Sequence, residues 1–270
     1  MKTYEEKKEL LNNIIKECRK PMVAFSGGVD SALVAKLALE HHPLTVKIYS
    51  AVLPYIDESD IYFALASAMR DIKKPAFFNL NLGMIPEINA NTKERCYFCK
   101  KHMLSTFKGK GEMDDCRYFL EGSNADDMKT YRPGRKAAEE LGYRFPLAEA
   151  GFTKEDVRRY ARELGLCAAD RPSRPCLLTR FPYDLPGGVT GERLLAIKNG
   201  EHLLKAYLND NFRLRWIDDD SVEIEVSPLD RQILMTGQKM IFKQLPFQNI
   251  TIAKEPFQSG RFDRDEEERA

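Results

Sequence analysis

The segment Ser26-Gly27-Gly28-Val29-Asp30-Ser31 places two glycines, two serines and a carboxylate within six residues. It follows the apolar run 22–25 and precedes the alanine- and leucine-rich stretch 32–39, which predicts a strand, a tight turn and a helix start. The glycines let the backbone approach an anion, the hydroxyls donate hydrogen bonds, and the first helical amides carry the positive end of the helix dipole. The segment therefore predicts a phosphate-binding loop, although the lysine of the GxxxxGKS/T pattern is absent.

Two cysteines, Cys96 and Cys99, form a CxxC pair at the start of a predicted helix. They are flanked by Arg95, Lys100 and Lys101, and these charges together with the helix end should favour the thiolate. A CxxC pair is only moderately specific. It is typical of a redox pair, of half a zinc site or of two ligands of an iron–sulfur cluster.

A third cysteine, Cys176, stands between two arginines in a proline-bounded loop, and such loop positions commonly carry function. Together with Cys96 and Cys99 it predicts a three-thiolate site with one open metal coordination position. An open iron there could hold a hydrosulfide and deliver it to an electrophile. The alternative is a closed zinc site in which His102 supplies the fourth ligand.

A polar turn follows a fourth predicted strand. Gly122 permits close backbone approach, while Asn124, Asp126 and Asp127 supply hydrogen-bonding and metal-binding oxygens. Arg132 then precedes a proline at a helix start, which suits a turn that faces a ligand. We predict that this turn lies beside the phosphate-binding loop; a solvated turn is the alternative.

The elements that position these residues alternate between strand and helix along the first part of the chain. The predicted strands are 22–25, 45–53, 75–80 and 117–122, and predicted helices include 3–19, 57–70 and 96–107. This order predicts an α/β fold, with a parallel sheet, helices on both faces and a ligand site at the carboxyl ends of the strands.

Four prolines and Gly187-Gly188 interrupt regular structure between residues 172 and 188, which predicts a domain boundary. We place the parallel-sheet domain with the cysteine site at 1–183 and a smaller α/β domain, for substrate binding or oligomerisation, at 184–270. The second domain should contain a helix at 192–208, strands at 212–217 and 221–226, a helix at 229–242 and a strand at 249–253. The charged tail 264–270 should be frayed.

Composition limits the function classes. The chain has 270 residues, of which 43% are hydrophobic, so it can bury a sizeable core. Its formal net charge of +1 is too small to attract nucleic acid or an anionic membrane through overall charge. No apolar run reaches the length of a bilayer span. We therefore expect a cytoplasmic protein with no membrane partner and no disulfides. The cysteines outside the candidate site, Cys18, Cys116 and Cys167, lie in or beside apolar patterns and should pack in the core.

The turn at 26–31 resembles the SGGxDS signature of the PP-loop ATP pyrophosphatases, a superfamily with a Rossmann-like domain of the adenine nucleotide alpha hydrolase type. These proteins cleave ATP between its α and β phosphates to adenylate a substrate. Further segments occur in the order seen in LarE-type ATP-dependent sulfur transferases, and together they span most of residues 20–185. They are RCYFCK at 95–100, EGSNADD at 121–127, RPG at 132–134, FPLAEAGFTK at 145–154 and PCLLTRFPY at 175–183.

This resemblance implies sulfur insertion during synthesis of the nickel-pincer nucleotide cofactor. The substrate would be pyridinium-3,5-biscarboxylic acid mononucleotide, whose carboxylate attacks the α phosphate of ATP. Pyrophosphate leaves, and sulfur then displaces AMP to give a thiocarboxylate. The resemblance assigns ATP binding to the loop Ser26–Ser31 and to the polar turn with Arg132. It implies that Asp30 helps to hold Mg²⁺. It also implies a homo-oligomer.

Members of this family differ in their sulfur source. Some sacrifice the sulfur of one cysteine, which matches Cys176, and are left with dehydroalanine. Others also have the CxxC and use three cysteines to carry a four-iron, four-sulfur (4Fe–4S) cluster that hands over an extra sulfide. Cys96, Cys99 and Cys176 place this chain nearer the second group.

The resemblance weakens toward the C-terminus. The residues that could line the substrate pocket are Arg180, Glu201, Arg213, Arg215 and Glu225. Two arginines alternating on one strand face suit a substrate with phosphate and carboxylates, whereas the alternative is a surface strand with solvated charges. Glu223 stands where the family has arginine, and residues 256–261 replace its Tyr-Arg-x-Gly-Ser ending, so a different acceptor stays open.

Two other classes of function are compatible with the phosphate loop. A tRNA thiolase or an amidotransferase synthetase would use the same adenylation, but the balanced charge, the lack of an RNA-binding module and the lack of a glutaminase segment disfavour them. A nucleotide-sensing or zinc-stabilised binding module is the non-enzymatic alternative.

Overall fold

The computed structural model describes residues 2–72, 75–81, 85–129, 132–172, 174–209 and 212–255. The chain divides into two compact units, which we call unit 1 (Met1–Ile88 and Glu94–Ser173) and unit 2 (Asn89–Lys93 and Arg174–Ala270). The domain boundary at 183/184 stays a prediction. The charged tail and the segment 256–261 lie outside the described residues. Within the described ranges, no helix is both long and apolar enough to cross a membrane.

Unit 1 contains a sheet of four parallel strands. They are β1 (Pro21–Ala24), β2 (Lys47–Val52), β3 (Ala76–Asn79) and β4 (Tyr118–Leu120), in the order β3-β2-β1-β4. Because β1 and β2 are central, the loops after them begin at the middle of the carboxyl edge. The predicted α/β fold with a parallel sheet is confirmed.

The helices of this part of the chain are α1 (Tyr4–Glu17), α2 (Val29–His41), α3 (Glu58–Asp71), α4 (Pro86–Asn89), α5 (Arg95–Met113), α6 (Pro133–Glu140), α7 (Pro146–Glu149) and α8 (Lys154–Glu163). The last residue of α4, Asn89, belongs to unit 2. Sequence patterns located the long helices. The single-turn helices α4 and α7 were missed, since four residues are too few to show a helical period.

Apolar side chains cover both faces of the sheet. In β1, Val23 belongs to a buried cluster with residues of α1, α2 and α8, whereas Met22 belongs to a second cluster with Leu104 and Phe107 of α5. Successive strand residues point to opposite faces, so one short strand joins both cores. This fixes the strand whose end leads into the glycine-rich turn.

Unit 2 contains a three-stranded sheet with two long helices. Its elements are α9 (Gly191–Leu204), β5 (Arg213–Trp216), β6 (Ser221–Glu225), α10 (Pro228–Phe242) and β7 (Asn249–Ile252). β5 and β6 pair antiparallel, and β6 and β7 pair parallel. A Cβ added to Gly200 would lie 2.4 Å from Cδ2 of Leu214, so α9 packs unusually close to β5.

Candidate functional site

The glycine-rich turn connects β1 to α2 and is organised by the Ser31 side chain. Its Oγ accepts a hydrogen bond from the Ser26 amide at 3.1 Å, donates to the Gly28 carbonyl at 3.0 Å and lies 3.1 Å from the Ser26 Oγ. α2 begins at Val29 without a side-chain cap. Its N-terminal end is therefore available to an anion, as the sequence predicts for a phosphate-binding loop.

Two glycines let this turn pack closely against its surroundings. Gly27 has φ 79°, and a Cβ there would lie 2.5 Å from Cβ of Ala64 in α3. A Cβ on Gly122 would lie 2.8 Å from the Ser31 amide nitrogen. The loop after β4 thus touches the first turn of α2 backbone to backbone.

We expect Gly27→Ala to destabilise the turn more than the same change at Gly142. Both glycines have positive φ, which costs an alanine about 1–2 kcal/mol, but nothing lies within 4 Å of a Cβ at Gly142. Gly27→Ala adds the overlap with Ala64, which costs a further 1–3 kcal/mol or so. Denaturant unfolding of both variants measures the difference; equal losses of stability would contradict the tight packing described for Gly27.

Asp30, in the first turn of α2, is held by two residues distant in sequence. Asn124 donates from Nδ2 to Asp30 Oδ1 at 2.9 Å, and Lys154 forms an ion pair with Asp30 Oδ2. Asn124 is buried, with 2% of its surface exposed. The Asp30 carboxylate is therefore fixed at the end of the glycine-rich turn, and its oxygens are of the kind that bind Mg²⁺.

The polar turn after β4 is built around the Asn124 side chain, whose Oδ1 accepts from the amides of Asp126 at 2.9 Å and Asp127 at 3.3 Å. Asp127 accepts from the Asn124 amide at 3.1 Å and pairs with Arg132 at 2.9 Å. Asp126 accepts from the Lys154 amide and from Lys129, and these bonds hold its pKa below its ordinary value. The structure thus brings Asn124, Asp126, Asp127 and Arg132 into one loop beside Asp30.

Lys154 is a residue of this site that sequence reasoning did not assign. It is the first residue of α8, whose N-cap Thr153 forms a capping box with Asp156. The cap orients the helix start so that the Lys154 amide reaches Asp126 at 2.9 Å while its side chain reaches Asp30. In the sequence, Lys154 could be noticed only as the last residue of the segment 145–154. Because α8 comes after the whole polar turn in sequence, only the fold shows that Lys154 reaches Asp30.

Cys96 and Cys99 lie in the first two turns of α5, with Cys96 exposed and Cys99 half-buried. The helix begins without a side-chain cap. Two of the flanking cations are neutralised by partners: Lys100 pairs with Glu121 at 2.6 Å and Lys101 with Glu140 at 2.9 Å.

The Lys100–Glu121 pair links the thiol-bearing helix to the loop after β4. Glu121 also accepts from the amide of Ser123 at 2.9 Å and from its hydroxyl at 2.6 Å. Burial disfavours the carboxylate, but Lys100 and these hydrogen bonds outweigh it and hold the pKa of Glu121 below its ordinary value. Within unit 1, the Lys100–Glu121 ion pair therefore connects the helix that carries the two thiols to the loop that contains the polar turn.

Cys176 belongs to unit 2, where it is half-buried and precedes a short 3₁₀ helix, Leu177–Arg180. Its carbonyl accepts from the amide of Thr179 at 3.1 Å and from the Thr179 hydroxyl at 2.8 Å, so the backbone of this loop is fixed. Among the residues that the structure describes, no three His, Cys, Asp or Glu side chains form a group that could hold a metal ion. The three-thiolate site and its zinc alternative with His102 stay predictions.

The donor chemistry of the two α5 thiols fits a soft metal or an iron–sulfur cluster. They are separated by three positions on one helix, a spacing that suits two thiolate ligands. Thiolates select iron–sulfur clusters, zinc or copper(I) over magnesium, so they are unsuited to the Mg²⁺ assigned to Asp30.

The predicted substrate residues of unit 2 form buried ion pairs. Arg180 binds Glu201 through two hydrogen bonds of 2.7 and 3.0 Å, and both side chains are 4% exposed. Arg215 binds Glu225 at 2.9 and 2.8 Å with equally little exposure. The alternative of a surface strand with solvated charges is wrong, because every residue of β5 is buried.

Arg213 lies beside these pairs with three further arginines nearby. Burial and the neighbouring guanidinium of Arg180 lower the pKa of Arg213 to about 10, and Arg215 and Arg174 act in the same direction. Glu201 opposes the shift but does not cancel it. Arginine side chains are therefore concentrated in this buried part of unit 2.

We expect Glu201→Gln to lower the free energy of unfolding by about 3–5 kcal/mol, because it leaves the buried Arg180 charge without its partner charge. The matched control is Asp170→Asn, which removes the exposed partner of Arg162 and should cost at most about 1 kcal/mol. Chemical denaturation of both variants tests this. A small, equal effect would mean that the Arg180–Glu201 pair is solvated in solution.

The remaining cysteines are outside the candidate site. Cys18 and Cys116 belong to the two hydrophobic clusters of unit 1, which confirms the prediction that they pack in the core, and burial raises the pKa of both thiols. Cys167 is only half-buried.

Comparison with known proteins gives full-length similarities, although no family model matches the chain. It is 32% identical over 265 residues to the uncharacterized protein slr1717 of Synechocystis, covering 96% of this chain and 98% of that protein. It is 32% identical over 256 residues to the uncharacterized protein MJ0830 of Methanocaldococcus jannaschii, covering 92% and 96%. It is also 29% identical over 267 residues to the pyridinium-3,5-bisthiocarboxylic acid mononucleotide synthase of Lactiplantibacillus plantarum, covering 97% and 95%.

Each of these similarities covers more than nine tenths of the chain. The chain belongs to the family that contains slr1717 and MJ0830, and the Lactiplantibacillus synthase is a homologue of it.

Proposed function

We propose that this protein is an ATP-dependent sulfur transferase that converts a carboxylate of a pyridinium mononucleotide into a thiocarboxylate during synthesis of the nickel-pincer nucleotide cofactor. The observation that carries the proposal is the similarity, over 97% of the chain, to a synthase whose name specifies a bisthiocarboxylic acid mononucleotide. The geometry of the site supports the two chemical halves of this reaction separately.

The adenylation half would use the loop Ser26–Ser31 and Asp30. The helix end and the turn amides would bind the phosphates of ATP, and Asp30 would help to hold Mg²⁺ on them. Lys154 pairs with Asp30 and could move to a phosphate oxygen once magnesium takes its place. The substrate carboxylate oxygen then bonds to the α phosphorus, the bond to pyrophosphate breaks, and an acyl adenylate forms.

The acceptor would be recognised by unit 2. Arg180, Arg213 and Arg215 are buried together with Glu201 and Glu225, and burial together with the neighbouring Arg180 lowers the pKa of Arg213. The phosphate and carboxylates of the substrate would bind to these arginines. Arginine can bind such groups through two parallel hydrogen bonds.

The sulfur half would use the three candidate cysteines. Cys96, Cys99 and Cys176 would hold the 4Fe–4S cluster, which when bound supplies a sulfide nucleophile for the acyl adenylate. Attack of this sulfur on the acyl carbon would break the acyl–oxygen bond, and AMP would leave with the electron pair. Loss of the hydrosulfide proton would give the thiocarboxylate, and an external sulfide donor would have to replace the sulfur used in each turnover. The protein's task in this step is to hold the acyl carbon near the sulfur and to exclude water, which would hydrolyse the adenylate.

The second route is sacrifice of Cys176, which is half-buried directly before the 3₁₀ helix Leu177–Arg180. Its thiolate would displace AMP to form a thioester. Loss of the Cys176 α proton and cleavage of its Cβ–S bond would then leave sulfur on the substrate and dehydroalanine in the chain.

One experiment separates the two routes. Iron and acid-labile sulfide are measured after anaerobic purification, alongside intact mass before and after turnover. Iron and sulfide near cluster stoichiometry with unchanged mass support the cluster, whereas a loss of one hydrogen sulfide from the chain without iron supports sacrifice of Cys176. Exchange of label between pyrophosphate and ATP should depend on the small-molecule acceptor, and stimulation by tRNA instead would overturn the proposal.

The cytoplasmic location and the homo-oligomeric state are part of the same proposal. The abundance of free thiols supports a reducing compartment. Sedimentation of the purified protein tests the oligomeric state.

A further inference from the structure

A buried tyrosine contacts one of the two cysteines on α5. The Tyr55 hydroxyl lies 3.1 Å from the Cys99 sulfur, within hydrogen-bond distance for sulfur. Tyr55 is 4% exposed, whereas Cys99 is half-buried and faces both protein and solvent. The adenylation and sulfur-transfer steps described above make no use of Tyr55.

The loop that carries Tyr55 is fixed on both sides. It leaves β2 at the carboxyl edge of the sheet, and the Ile56 amide donates to the Leu53 carbonyl at 3.1 Å. Asp57 then caps α3 by accepting from the Ser59 amide at 2.9 Å. With its ring buried between these two anchors, Tyr55 can direct its hydroxyl at Cys99 without a large cost in side-chain entropy.

The protonation state of the sulfur sets the direction of this hydrogen bond. A metal-bound cysteine is a thiolate and has no proton to donate, so the phenol must be the donor whenever Cys99 binds a metal. Hydrogen bonds to ligand atoms orient the ligand and stabilise its charge.

We propose that Tyr55 is a positioning residue that holds the Cys99 thiolate as a metal or cluster ligand by donating a hydrogen bond to its sulfur. This inference rests on the cysteine site of the proposed function. It extends that site to the loop after β2, at the carboxyl edge of the sheet.

The chain offers a matched control on the same helix. The Tyr97 hydroxyl lies 2.7 Å from Glu140 and 2.6 Å from Lys101, so its hydrogen bonds are made at the surface between α5 and α6. Tyr97→Phe therefore removes a phenol next to Cys96 in sequence without removing the hydrogen bond to Cys99.

The test uses the metal-free full-length protein and Cd²⁺ as the probe. Cd²⁺ affinity and the thiolate-to-metal charge-transfer band are measured for the wild type, Tyr55→Phe, Tyr97→Phe and Cys99→Ser. We expect Tyr55→Phe to weaken Cd²⁺ binding about 10-fold or more and to move the band to longer wavelength, because the sulfur electrons lose a stabilising donor. Tyr97→Phe should match the wild type. Equal affinity and band position in Tyr55→Phe, or a wild-type band that Cys99→Ser leaves unchanged, would overturn the inference.

A second measurement separates this inference from the proposed function. The reduction potential of a cluster reconstituted anaerobically should shift to more negative values in Tyr55→Phe, because hydrogen bonds to the sulfur stabilise the more electron-rich state. If the wild type accepts no cluster but the Cd²⁺ band still shifts, the cluster proposal fails while the role of Tyr55 stands. If the cluster forms and its potential is the same in both proteins, the role of Tyr55 fails while the cluster stands.

Discussion

Cys176→Ala should abolish thiocarboxylate formation, lowering it by about three orders of magnitude or more, while ATP–pyrophosphate exchange persists. Both sulfur routes require the Cys176 sulfur, as a cluster ligand or as the atom transferred. Cys176 is the only cysteine in the sequence of unit 2, so no neighbouring thiol in that unit can replace it. In the proposed function, adenylation would depend on the Ser26–Ser31 loop in unit 1 and would need no thiol.

The control for this prediction is Cys167→Ala, which removes a half-buried thiol outside the candidate site and should leave both activities unchanged. Cys96→Ala adds a distinction between the routes. It should abolish transfer if a cluster supplies the sulfide, but it should leave one turnover per chain if Cys176 is sacrificed. Full thiocarboxylate production by Cys176→Ala would refute both.

Asp30→Asn should lower ATP–pyrophosphate exchange by about 10²–10³-fold. The substitution keeps the side-chain shape but removes the charge that pairs with Lys154 and that would hold Mg²⁺. It also replaces the Oδ2 acceptor of Lys154 or the Oδ1 acceptor of Asn124 with an amide donor. We expect weaker ATP binding and a higher Mg²⁺ requirement, measured by titrating each against the exchange rate.

The matched control is Asp115→Asn, just beyond the C-terminal end of α5. It removes the exposed partner of Lys20 and should leave the exchange rate unchanged. The unfolding transition of Asp30→Asn should stay close to that of the wild type, because the new amide oxygen can still accept from the buried Asn124 and the half-exposed Lys154 ammonium can be solvated. An exchange rate within a factor of two of the wild type would exclude Asp30 from magnesium and phosphate binding.

Local patterns in the sequence located the parts of this site. The glycine turn predicted the β1–α2 junction because glycine, serine and an apolar strand have conformational consequences that do not depend on distant residues. The alternation of strands and helices predicted the parallel sheet, and its carboxyl edge followed from that topology. The spacing of Cys96 and Cys99 predicted two thiols on one helix, which is where the structure places them.

The tertiary structure decided which of these parts touch. Asp30 meets Asn124 and Lys154 across 94 and 124 positions of sequence, and Tyr55 meets Cys99 across 44. In unit 2, only packing of α9 against β5 revealed that the arginines are buried with carboxylates and are not solvated on a surface strand. Sequence patterns report the burial period and backbone preference of one element at a time. Strand order, here β3-β2-β1-β4, is set by the packing of all the elements together, and it alone determines which loop ends share the edge of the sheet.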